Sequence, residues 1–331
     1  MKDKIVITGG AGYIGSVLAG ELLRRGYRVH VLDTLLFGGD SLLAYFPDPA
    51  FSFQKVDLAA ADAPLDFREA RAVFHLAALV GFPVCQQVGE ETAFRYNVAM
   101  TQRVFEAAER AGAERFIFAS TYSNYGMSAD GEAVTEESPT YPQSLYARTK
   151  IAAEEFLRGR GGQATCAPII PRFATLFGVS PRTRFDLIVN QFVLEAVTKR
   201  KLVLYQGDFR RSFVHIRDVV DALVLLVEAP LPAVRNEVFN IGSPKGNLRK
   251  HEIADLVARE VPGTAVEQRD LSFGGDMRDV QVSSAKADRV LGFRAQRTVE
   301  EGIREVHAAI ASGLIKEPGH PRYRNHQFVV D

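Results

Sequence analysis

Tyr146 and Lys150 stand four residues apart in the run Tyr146-Ala-Arg-Thr-Lys150. On a helix that spacing sets both side chains on one face, with the ammonium near the phenol. A tyrosine with its ordinary pKa of about 10 is a poor base at neutral pH, and a nearby cation improves it by stabilising the phenolate. Upstream, Ala119-Ser-Thr-Tyr-Ser-Asn-Tyr-Gly126 gathers several hydroxyls just past a strand end, where they could hydrogen-bond a substrate oxygen. A tyrosine and a lysine at this spacing arise by chance in many helices. The pair gains its meaning from what precedes it.

Ile5-Val-Ile7 is a β-branched apolar run that reads as a buried strand, and Gly9, Gly12 and Gly15 follow it at a spacing of three. Gly10, Gly12 and Gly15 also meet the pattern G-x-G-x-x-G. A strand that turns on glycine into a helix offers backbone N–H groups and a helix N-terminus to an anion. With no Cβ in the way, a pyrophosphate fits there. Arg28–Asp33 reads as a second strand whose closing Asp33 lies about 20 positions past the glycines. That carboxylate accepts both hydroxyls of an adenosine ribose and repels a 2′-phosphate, so NAD is expected over NADP.

The elements that must position these residues alternate along the chain. A helical pattern over Val17–Arg25 ends at Gly26, and strands are predicted at Phe51–Val56, Ala72–Leu76 and Arg115–Ala119. Helical patterns follow at about Glu90–Arg110, Ser144–Arg158, Phe185–Arg200, Arg217–Glu228 and His251–Val261. Alternation of this kind predicts an α/β fold, a Rossmann-type doubly wound parallel sheet with a smaller C-terminal α/β substrate-binding region. Residues 1–170 are expected to form the nucleotide half. Residues 171–331 are mainly the substrate region, with some segments returning to the sheet.

Composition narrows the function classes. The 331 residues are 47% hydrophobic and 24% charged, as in ordinary globular proteins, and Lys+Arg and Asp+Glu both number 40. There is thus no global basic field to draw nucleic acid. No apolar run approaches a membrane span and no leader pattern opens the chain, so a cytoplasmic protein without a membrane partner is expected. Cys85 and Cys166 are too few for a disulfide framework and lack metal-ligand spacing, so no metal is expected.

Taken together, these residues resemble the extended short-chain dehydrogenase/reductase family, in its nucleotide-sugar epimerase/dehydratase branch. The resemblance rests on Thr8-Gly-Gly-Ala-Gly-Tyr-Ile-Gly15, Asp33, Asp57-Leu58, His75-Leu-Ala-Ala78, Asn97, Thr121 and Tyr146…Lys150. It continues through Arg172-Phe-Ala-Thr-Leu-Phe-Gly178, Arg211-Ser-Phe-Val-His-Ile-Arg-Asp218 and Phe239-Asn-Ile-Gly242. By this resemblance Tyr146 is the acid/base for a sugar hydroxyl, Lys150 holds the nicotinamide ribose, and Thr121 shares the proton's hydrogen bond. Gly9, Gly12, Tyr13, Ile14, Gly15, Asp33, Asp57, Leu58, Leu76, Ala77, Ala78 and Phe173 are implied around the cofactor, and Asn97 is implied as support for the lysine. Val80, Cys85, Thr121, Ser123, Thr175, Asn190, Arg211 and Arg278 are implied contacts for a nucleotide-diphosphate sugar, the two arginines clamping its diphosphate. A homodimer through the helices near 90–110 and 144–158 is also implied.

Departures from the branch pattern narrow the chemistry further. Members that eliminate water carry Asp-Glu after the threonine, whereas Tyr122 and Ser123 stand here, which argues against a 4,6-dehydratase. Thr175 replaces a frequent asparagine, and Phe273-Gly-Gly-Asp276 replaces Arg-Pro-Gly-Asp. Cys85 reads as a small apolar wall residue in preference to a second acid/base. The expected activity is an NAD-dependent epimerase, at C4, through a 4-keto sugar. A 4-ketosugar reductase or sugar dehydrogenase that exchanges NAD(H) uses the same residues, and a non-catalytic dinucleotide sensor is a more distant alternative. The tail Glu317–Asp331, rich in aromatic and basic residues, receives no role.

Overall fold

The computed structural model describes residues 2–128, 132–269 and 279–327. Its main sheet runs in the order β11-β7-β5-β4-β1-β2-β3. The strands are β1 (Lys4–Thr8), β2 (Arg28–Asp33), β3 (Phe51–Lys55), β4 (Ala70–His75), β5 (Arg115–Phe118), the two-residue β6 (Ser120–Thr121), β7 (Ala167–Phe173) and β11 (Val238–Ile241). Every pairing in it is parallel. The order reverses at β1, so the carboxyl ends of β1 and β4 diverge and leave a crevice there. Strands buried on both faces account for the continuous apolar runs, such as Ile5, Val6 and Ile7, all at 0% exposure.

Helices cover both faces: α1 (Tyr13–Arg24), α2 (Phe82–Val88), α3 (Glu90–Phe94), α4 (Met100–Arg110) and α5 (Leu145–Arg160) belong to the first part of the chain. The predicted helix over 90–110 is interrupted, because a π turn at Arg95–Ala99 joins α3 to α4. That wide turn carries Asn97 inward to a buried position. One apolar core, including Leu18, Leu22, Val31, Phe74 and Val220, lies under α1 and α7 (Ile216–Glu228). A second, with Val104, Phe105, Phe116 and Leu157, lies under α4 and α5 on the opposite face.

No strand was expected over Ala167–Phe173, yet β7 lies inside the sheet between β5 and β11. Pro168 and Pro171 explain the miss, since proline inside a run argues against a central strand. Here the second proline stands where the pairing changes hands: β5 pairs with β7 up to Ile117–Ile169, and β6 resumes at Ser120–Arg172. The lost N–H falls at a break in the ladder.

The remaining elements build a smaller unit with its own core of Phe185, Val189, Phe192, Leu202, Phe213, Ile253 and Ile303. They are β8 (Thr175–Phe177), α6 (Ile188–Lys199), β9 (Lys201–Tyr205), β10 (Arg210–His215), β12 (Asn247–Arg249), α9 (Lys250–Glu260), β13 (Ala265–Arg269) and α11 (Val299–Ala311), whereas α8 (Leu231–Val234) and α10 (Ala285–Leu291) pack on the first core through Val234 and Ala287. Strands β12-β10-β8 and β13-β9 form two small sheets. The helix expected from Phe185 begins at Ile188. Its first two residues are taken by other bonds: the Phe185 N–H donates to Tyr323 O at 2.9 Å, and Asp186 pairs with Arg184, leaving Leu187 as the N-cap. Among the described residues, no helix is long and apolar enough to cross a membrane.

Candidate active site

A cleft of about 1440 Å³ opens along the carboxyl ends of the main strands. Its floor is the turn between β1 and α1. Gly9 has φ +72°, and a Cβ there would stand 2.7 Å from the Ala77 backbone nitrogen, so only glycine lets the β1 and β4 ends approach this closely. Helix α1 starts at Gly12 with no side-chain cap, leaving its first N–H groups for a ligand. Asp33 at the end of β2 accepts from the Ala11 N–H at 3.0 Å and the Leu35 N–H at 2.8 Å. Burial raises its pKa while those two donors pull the other way. These features fit a dinucleotide: a pyrophosphate over the glycine turn and a ribose beside Asp33.

The reacting end is built by α5 and the strand end of β5 and β6. Ser144 caps α5, its hydroxyl accepting from the Ala147 N–H at 3.2 Å, and this fixes the turn that carries Tyr146. One turn on, Lys150 is 2% exposed; its Nζ donates to Ala119 O at 2.8 Å and sits 4.5 Å from the centre of the Phe118 ring. The Ala119 carbonyl lies one residue past the last β4–β5 pair, His75–Phe118, so the lysine takes an acceptor beyond the end of that ladder. Burial lowers the Lys150 pKa to about 8, against smaller opposing effects of Cys85 and Glu154. Thr121 donates its hydroxyl to Ser123 Oγ at 3.0 Å and caps the short 3-10 turn Tyr122–Tyr125.

That turn is anchored from below by a buried network. Arg172 on β7 makes a salt bridge to Glu154 on α5 at 2.6 Å, with side chains 5% and 3% exposed. Glu154 also accepts from Ser120 and, at 2.8 Å, from Asn124 Nδ2. The other face of the guanidinium reaches the Tyr125 hydroxyl at 2.9 Å, which donates to Asn240 Oδ1 at 2.8 Å. Removing one partner of a buried pair strands the other charge. Glu154→Ala is therefore expected to cost about 3–5 kcal/mol of folding stability in urea denaturation. A loss below about 1 kcal/mol would show that the pair does not hold this turn.

Of the residues singled out in the sequence, those assigned to the cofactor line the cleft with the exception of Asn97. Asn97 accepts from the Leu79 N–H at 2.8 Å and donates to Leu79 O and Thr149 Oγ1, both at 3.0 Å. It braces the Leu79 backbone and Thr149, the residue before Lys150, and not the lysine itself. Val80, Thr121, Ser123, Thr175 and Arg211 line the cleft as well, and Tyr122 bonds Thr175 through their hydroxyls at 2.8 Å. Cys85 is fully buried beneath it among Leu79, Val84 and Leu145, with its thiol pushed up to about 11 by burial. Asn190 also faces inward, bonding both Gly178 N–H and Gly178 O and donating to Arg184 O at 3.0 Å. Arg278 lies outside the described residues.

Several lining residues belong to no motif of the sequence. Arg182, Arg184 and Asp186 come from the loop before α6, and Arg324, Asn325 and His326 from the tail. The tail reaches the cleft because Tyr323 packs edge-on against Phe185, the Asn325 N–H donates to Asp186 at 3.0 Å, and Arg322 pairs with Asp40 at 3.2 Å. Its aromatic and basic residues were the available clue.

Residues 5–242 match the family described as NAD dependent epimerase/dehydratase. The chain is 27% identical over 332 residues to the UDP-glucose 4-epimerase of Bacillus subtilis (strain 168), covering 90% of this chain and 94% of that protein. It is likewise 27% identical over 326 residues to UDP-glucuronic acid decarboxylase 1 of Arabidopsis thaliana, covering 95% of this chain and 71% of the other. Among solved structures, MoeE5 in complex with UDP-glucuronic acid and NAD superposes with a TM-score of 0.78 at 28% identity, covering 93% and 99% of the two chains.

Proposed function

The chain belongs to the NAD-dependent epimerase/dehydratase family, an extended short-chain dehydrogenase/reductase with NAD as its cofactor, and on that premise we propose that it is a nucleotide-diphosphate-sugar 4-epimerase. The observation that carries this reading is that Tyr146, Lys150 and Thr121 line the same cleft as Asp33 and the glycine turn, while Tyr122 and Ser123 stand in the two positions after the threonine. An alcohol can be deprotonated there, but no carboxylate follows the threonine to drive elimination of water.

In this reading Tyr146 removes the proton of the sugar's C4 hydroxyl, with Thr121 holding that oxygen through its own hydroxyl. Lys150 keeps a positive charge beside the phenolate while fixed to Ala119 O. NAD, held by the glycine turn and Asp33, would supply hydride acceptance and return at C4, so that the sugar would pass through a 4-keto form with no net redox change. Tyr146 then returns the proton after the keto sugar has turned its other face. Arg211 on β10 is assigned to the diphosphate, a role suited to a guanidinium fork. A homodimer through the helical layer of residues 90–110 and 145–160 belongs to the same proposal.

The test is to denature the purified protein and measure the nucleotide released, then to screen UDP-, GDP-, dTDP- and CDP-sugars for epimerisation. Near-stoichiometric NAD with C4 inversion of one sugar is expected. A protein that exchanges NADH freely and reduces 4-keto sugars would replace the epimerase with a reductase.

A further inference from the structure

Arg182 is one of several charged groups lining the cleft that the proposed reaction leaves unused. It is 6% exposed, and its Nε and Nη2 are buried without a hydrogen-bond partner. Its guanidinium lies 3.9 Å from the centre of the Phe37 ring, in the loop that follows Asp33. Burial, helped by neighbouring Arg184, lowers its pKa to about 9, against the opposing carboxylates of Asp186 and Asp33. With Nε and Nη2 buried and unbonded, part of its desolvation cost stands until an anion completes it.

The backbone around it is fixed to the start of α1. Ser180 donates its hydroxyl to Tyr13 O at 2.8 Å and meets Ser16 Oγ at 3.2 Å, and the same hydroxyl accepts the Arg182 N–H at 3.1 Å. Thr183 closes the turn on both Ser180 N–H and Ser180 O. The loop of the smaller unit is thereby tied to the first turn of the helix whose uncapped N-terminus meets the cleft. The anion expected at that helix end is one phosphate of the dinucleotide, with the adenosine ribose beside Asp33.

We propose that Arg182 is a cofactor-binding residue whose guanidinium grips the adenosine side of the NAD pyrophosphate from the face opposite helix α1. The inference rests on the NAD-dependent reading of the cleft. Held from both units, the cofactor stays bound through turnover, as a reaction with no net redox change requires.

Protein stripped of cofactor, as wild type, Arg182→Met and Arg182→Lys, should be titrated calorimetrically with NAD, ADP and adenosine. Thermal unfolding should be followed with and without NAD. Expected are at least about tenfold weaker binding of NAD and ADP to Arg182→Met, an intermediate loss for Arg182→Lys, and unchanged adenosine binding. Without NAD, the unfolding temperature of Arg182→Met should equal or exceed that of wild type, while the rise produced by NAD shrinks. Equal NAD affinity in wild type and Arg182→Met, or a lower unfolding temperature of the cofactor-free variant, would overturn the proposal. Wild-type protein that bound neither NAD nor ADP would overturn the cofactor reading along with it.

Discussion

Tyr146→Phe is expected to lower turnover by about 10²–10⁴-fold while cofactor content stays at the wild-type level. Tyr146 sits in the first turn of α5, a helix capped by Ser144 and anchored through Lys150, so removing its hydroxyl should leave the framework in place. The loss should fall on kcat, because the phenol acts on the proton being transferred and contributes little to holding the nucleotide. Steady-state kinetics alongside NAD release on denaturation check this. A decline of less than about tenfold, or loss of the cofactor with the hydroxyl, would remove Tyr146 from the acid/base role.

The second large effect concerns Lys150, whose pKa falls from 10.5 to about 8 on burial. Between those values the unfolded chain holds the proton and the folded chain releases it, so stability rises with pH across that window. Below pH 8 the full cost of burying the ammonium stands, and above 10.5 it is gone. A shift of this size corresponds to roughly 3 kcal/mol, from which the lost bond to Ala119 O takes about 1. Lys150→Met should therefore stabilise the cofactor-free protein by about 2 kcal/mol at pH 7 and by little at pH 11. The same variant should lose turnover by at least about 10²-fold, since the phenolate has lost its cation. Denaturant titrations at the two pH values give the stability arm. A destabilised variant at pH 7 would mean that the ammonium supports the fold.

Stability and activity thus oppose each other at Lys150, and a different division holds at Arg172 and Glu154. There the charges face each other, with hydroxyl and amide groups on the remaining lone pairs, and the turn carrying Thr121 depends on them. Lys150 and Arg182 thus face the cleft, while the Arg172–Glu154 pair lies behind it.

Much of the reacting end was legible from local chemistry. Glycine at Gly9, an acidic strand end at Asp33 and a helical Tyr-x-x-x-Lys each follow from short-range rules, and the structure brings them to one cleft. What escaped depended on contacts between distant segments. Pro168 and Pro171 hid a central strand because whether a missing N–H matters is decided by the neighbour, and the β5–β6 break supplies that neighbour. Asn97 and Asn190 match positions near a ligand, yet a π turn and the Gly178 turn direct their amides into the protein. The tail's place over the cleft rests on Tyr323, Asn325 and Arg322 finding partners more than a hundred residues away. No periodicity reports such pairings.

The most direct test of the epimerase is to supply a nucleotide sugar deuterated at C4, with no NAD added, and to follow the label. Epimerisation through a retained cofactor predicts the C4 epimer with deuterium still at C4. Loss of the label to solvent, or its accumulation in free NADH beside an oxidised sugar, would contradict it.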